Sequence, residues 1–83
     1  MAMTPAERAL LVSALFEHSK EWLKAVATGR QVDAVMLQFE MEIALRIVRE
    51  QHGQEEAGFV MAELQAKVDE FKARLRAGDG GVL

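Results

Sequence analysis

No cysteine occurs in this 83-residue sequence, which excludes disulfides, thiolate metal sites and thiol nucleophiles. Proline occurs once, at Pro5, and tyrosine not at all, while 51% of the residues are hydrophobic; that composition argues against disorder. Long apolar runs are missing as well. Charges recur every few positions, so no stretch of about 20 apolar residues is available to cross a bilayer. There is no excess of positive charge either: the net charge is −3 and the pI about 5.3. Lys and Arg nowhere gather without nearby acids, which speaks against a nucleic-acid partner held by electrostatics. The opening MAMTPAER lacks a charged-then-apolar leader pattern, and the expectation is a cytoplasmic protein of bacterial or phage type.

What is present is helical periodicity. The segment 33–50, DAVMLQFEMEIALRIVRE, is apolar around most of a helical wheel. Met36, Ile43 and Ile47, with Val35 and Phe39 beside them, make one stripe. Leu37, Met41, Ala44, Leu45 and Val48 make a second, and polar residues keep the arc of Gln38, Glu42, Arg46 and Arg49. A surface helix needs one apolar face, so this one is expected to be covered from more than one side, by its neighbours or by another copy of the chain. A chain this short buries only about 60% of its unfolded surface and often gains stability by oligomerising.

The flanking segments read as helices too. Thr4-Pro5-Ala6-Glu7 is a capping box with proline at the first helical position, where its missing N–H costs nothing. The first helix presents Leu11, Val12, Leu15, Phe16, Trp22, Leu23 and Val26 on a broad face and stops at Thr28-Gly29. Asp33 is the expected cap of the second helix, with Val32 and Leu37 as a hydrophobic staple; His52 and Gly53 suit its end. In the third, Ala57, Met61, Leu64, Val68, Phe71 and Leu75 form a seam of alternating fours and threes. Glu63–Lys67 and Glu70–Arg74 are i, i+4 pairs on that helix. The expected architecture is all-α: a three-helix antiparallel bundle, a helical hairpin plus a third helix, completed by oligomerisation. Residues 1–77 form its single domain, with helices at about 4–28, 33–52 and 54–77 and a flexible tail at 78–83. A partner chain could also reward fusion of the second and third helices through Gly53, because glycine inside a helix costs only about 1 kcal/mol.

Chemistry is sparsely represented. Glu40 falls inside the apolar arc, where a carboxylate could act as an acid or bind a metal between helices; pairing with Lys24 or an arginine is the simpler expectation. His18 borders the apolar face of the first helix without a Glu-x-x-His or His-x-x-x-His pattern, and His52 reads as a cap. Ser13 and Ser19 have no base at motif spacing, and Ser19 is expected to bond to a carbonyl one turn earlier. The glycines of 78–81 end the chain and form no phosphate loop.

The function expected is therefore that of a protein–protein interaction module (adaptor, co-chaperone or regulator of a bacterial or phage complex), not an enzyme, with no cofactor or metal. In size and layout the chain resembles the short helical-hairpin co-chaperones of bacterial secretion systems. Phe59, Ala62 and Ala66 on the back of the third helix, with Met36, Met41 and Trp22, are the expected partner-binding residues. The partners expected are a second copy, another protein, or both, with no nucleic acid and no membrane. The alternatives are a metal-binding bundle or enzyme centred on Glu40 and His18, or a transcriptional regulator.

Overall fold

The computed structural model describes residues 2–78, so the tail expected beyond them lies outside the described residues. The protein is an all-α bundle of α1 (Pro5–Ala27), α2 (Gln31–His52) and α3 (Gln54–Arg76). The capping box forms as expected. The Glu7 amide donates to Thr4 Oγ1 at 3.1 Å and the Thr4 amide to Glu7 Oε1 at 2.8 Å, with Pro5 opening the helix. Gly29, at φ +74°, turns the chain after Thr28 in a conformation that side chains other than glycine's resist.

The second helix starts two residues earlier than the sequence suggested. Gln31 opens it and Arg30 stands at its cap, because the Arg30 amide already donates to Ala25 O at 2.8 Å and the reversal is complete. Asp33 sits instead in the first turn, 3.4 Å from Arg30 Nη1, where its charge complements the helix dipole. Val32 is exposed and makes no staple. Between α2 and α3 only Gly53 intervenes, at φ +95°, and the two helices stay separate.

These short connections reverse the chain twice. His18 meets Glu40 and Ser19 meets Met41, while Val12 and Val48 share the core, so α1 and α2 run antiparallel. Arg8 meets Glu56 and Phe16 meets Phe71, so α1 and α3 run in the same direction. The core joins Val12 and Leu15, Val48, and Ala57, Val60 and Leu64, with Met3, Leu11, Phe16, Met41, Ala44, Leu45 and Val68 packed against them. Phe16 and Phe71 extend it through an edge-to-face contact, centroids 6.0 Å apart.

Two expected core positions differ. Val60, not Met61, fills the second place of the α3 seam; Val60 is fully buried and Met61 half exposed. The inward direction of α3 lies between Leu64 and Phe71, and at about 100° per residue Val60 falls nearer to it than Met61 does. Val26 is half exposed, because the hairpin into α2 covers the Ala25 side of that turn. The i, i+4 pair of Glu63 and Lys67 is also replaced. Glu63 lies 3.8 Å from Arg8 on α1, and Lys67 stands over the Phe16 ring.

Leu64→Ala removes a side chain from the point where all three helices meet and should cost about 2–5 kcal/mol, read as a lower urea midpoint. The Thr4 backbone N–H, and after it the Thr4 hydroxyl, lower the pKa of the Glu7 carboxyl. A carboxyl depressed in the folded state contributes stability above its unfolded pKa and loses it as pH falls through the folded one. The melting temperature should therefore fall on acidification below about pH 4.3. Glu7→Gln should lose this part of the acid dependence, as circular dichroism melts at stepped pH will show.

Candidate functional site

The sequence of α2 dictates its surface. Ala34, Leu37, Met41, Ala44, Leu45 and Val48 turn toward α1 and α3, with Ala34 and Val48 the buried members of the stripe. The other stripe then points away from both neighbours. Val32 (77% exposed), Val35, Met36, Phe39 (57%), Ile43 and Ile47 (45%) follow one another along the outer face. Among the described residues α2 is thus covered from one side only, and the second cover expected from its sequence is not formed by them. A shallow depression lined by Val35, Phe39, Gln38 and Glu42 lies along one edge of the stripe. Glu40 and Asp33 mark the other edge, beside Met36.

The remaining expected contact residues are distributed over different surfaces. Met36 belongs to the outer stripe. Met41 and Trp22 are half-buried and line a cleft of about 170 Å³ with Ser19, Leu23, Met61 and Leu64, where the three helices converge. Ser19 donates to Leu15 O at 2.9 Å, the backbone bond expected of it, and lies 3.4 Å from Met41 Sδ. Phe59, Ala62 and Ala66 are exposed on α3, but the Arg8 guanidinium covers part of the Phe59 ring, 5.1 Å from its centroid.

Glu40 pairs with His18, the residue grouped with it in the alternative reading of the sequence, and not with Lys24 or an arginine. His18 Nε2 lies 2.8 Å from Glu40 Oε2, and His18 Nδ1 lies 3.1 Å from the Ala14 carbonyl. Both ring nitrogens therefore face oxygen acceptors, and Glu40 meets the ring through Oε2. Both side chains are about half exposed, at 40% and 54%. Among the described residues no group of three or more His, Cys, Asp or Glu side chains is placed to hold a metal. The contact is a clasp between α1 and α2 at the edge of the outer stripe.

The most buried charge pair was not anticipated. Arg8 Nη2 donates to Glu56 Oε1 at 3.1 Å and Oε2 at 2.9 Å, and Glu56 is buried. One signal could have located it: the two residues stand near the starts of α1 and α3, which an up-down-up bundle brings to one end. Arg8 Nε is buried with no hydrogen-bond partner among the described residues.

Comparison with protein-family models, curated proteins and solved structures finds no match. No helix among the described residues is long and apolar enough to cross a membrane.

Removing one member of a buried pair strands the other. Arg8→Ala should cost about 3 kcal/mol, and Arg8→Met with Glu56→Met should regain much of it. A double-mutant cycle from chemical denaturation measures both.

Proposed function

We propose that this chain is a small protein–protein interaction module of the adaptor or regulator type, and that its working surface is the outer face of α2. The observation that carries the reading is the unbroken exposed row Val32, Val35, Met36, Phe39, Ile43 and Ile47. Single exposed apolar residues are ordinary; a contiguous row along a whole helix is the signature of a surface that a partner covers. Its spacing of three and four residues is the pattern by which one helix engages another or lies in a groove. Phe39, near the middle of the row, has the position and chemistry of an anchor.

The reading separates surface from core by mutation. Phe39→Glu and Ile43→Glu alter side chains that are half exposed, so helix content and monomer stability should change little, by less than about 1 kcal/mol. Both should abolish association, measured by comparing the proteins retained from the native host by wild-type and Ile43→Glu baits and by chemical cross-linking of the pure protein. Identical retained sets and identical cross-linking for the two baits would refute the reading.

A further inference from the structure

We propose that the outer face of α2 closes on a second copy of this chain, antiparallel and two-fold symmetric, with the helices crossing near Ile43. The inference rests on the reading of α2 as an interaction surface and names what covers it.

Charge complementarity selects this occupant. One edge of the stripe carries Glu42 and, one turn later, Arg46, both exposed. Among the described residues Arg46 has no ion pair within its own chain, and Glu42 receives only a 3.4 Å contact from Gln38. A two-fold axis perpendicular to a pair of antiparallel helices brings each edge against the same edge of the partner, in reverse order. With Ile43 on that axis, Phe39 faces the second copy's Ile47, and Glu42 lies beside the second copy's Arg46. Symmetry makes each of these contacts twice. A parallel pair does the opposite: it sets the Glu42 edge against the other edge, where Glu40 and Asp33 stand, and aligns the two helix dipoles unfavourably. The row is therefore self-complementary in one orientation only. Its apolar centre supplies the burial, and its acid–base edge supplies the direction.

The absence of native cysteine makes thiols a clean reporter. In the 83-residue chain, Ile43→Cys should oxidise to a disulfide-linked dimer of about 18 kDa, twice the 9.2 kDa mass of one copy. Val32→Cys should stay monomeric on reducing-agent-free gels, because antiparallel packing carries that position away from its copy. Cross-linking of both variants would mean a parallel pair, and cross-linking of neither would mean no pairing on this face; either overturns the proposal.

A charge exchange tests the edge independently. Glu42→Arg and Arg46→Glu should each sediment near the monomer mass at concentrations where the wild type is a dimer, with circular dichroism confirming retained helix. Their equimolar mixture should return to the dimer mass, since the all-basic edge of the first variant then meets the all-acidic edge of the second. A mixture no heavier than its components would refute the antiparallel register. If the wild type is monomeric throughout while Ile43→Glu still loses proteins retained by the wild-type bait, self-association fails and the interaction reading stands.

Discussion

A helix in a three-helix bundle has only two neighbours, and they can cover only the part of its circumference that faces them. Nearly everything distinctive in this protein follows from placing in that position a helix that is apolar over a wider arc. The inner stripe of α2 meets α1 and α3 and completes the core with them. The outer stripe, from Val32 to Ile47, has no third element to receive it. The geometry of the fold, rather than a shortage of apolar residues, leaves that surface open.

Orientation of α2 is then the decisive variable, because rotating it by about half a turn would exchange the two stripes. Several contacts fix it. The His18–Glu40 clasp holds the edge of α2 toward α1, and Ser19 reaches Met41 on the inner stripe. At the other end of the bundle the Arg8 guanidinium binds Glu56 through both carboxylate oxygens and lies over Phe59, tying the start of α3 to α1. An exposed pair such as His18–Glu40 adds little energy, typically under about 1 kcal/mol, whereas the buried Arg8–Glu56 pair is costly to break. Their effect here is directional: each joins two helices in one rotational setting, which a core of valine, leucine and alanine specifies only loosely.

The sequence revealed local structure well and tertiary partnership poorly, for a physical reason. Thr4 with Glu7, Gly29 and Gly53 act within one or two turns, so their roles could be read from spacing alone, and all of them hold in the fold. Asp33 looked like a cap because its residue type favours one, but the reversal at Gly29 was tighter than propensity could indicate, and the helix began at Gln31. Met61 was read into a seam position that its neighbour Val60 fills; choosing between them requires the direction of α1 and α2 seen from α3, which no single helix encodes. The same limit hid Arg8–Glu56, whose members are 48 residues apart, and left the grouping of His18 with Glu40 without a contact to rest on. The two stripes of α2 were both legible. Which of them faced inward was not.

That inward choice has its own logic. The inner stripe contains Ala34 and Ala44, and it belongs to a bundle that also buries Ala25 of α1 and Ala57 of α3 and joins its helices by very short connections. Connections of one residue at Gly53 and of three at 28–30 hold the ends of successive helices together, and small side chains favour close approach of helix axes. Phe39, Ile43, Ile47 and Met36 would hold them apart if turned inside. The chain therefore sets Ala34 and Ala44 among Leu37, Met41, Leu45 and Val48 on the stripe that its own connections bring against α1 and α3. Its bulkier apolar residues stand where no connection constrains the distance, on the face that an independent helix can approach at whatever spacing they require. A monomer evolved for self-sufficiency would gain by the reverse arrangement, with its largest side chains buried at about 25 cal/mol for each square ångström removed from water. The distribution of sizes between the two stripes, as much as their exposure, supports the proposal that the outer face of α2 is an association surface.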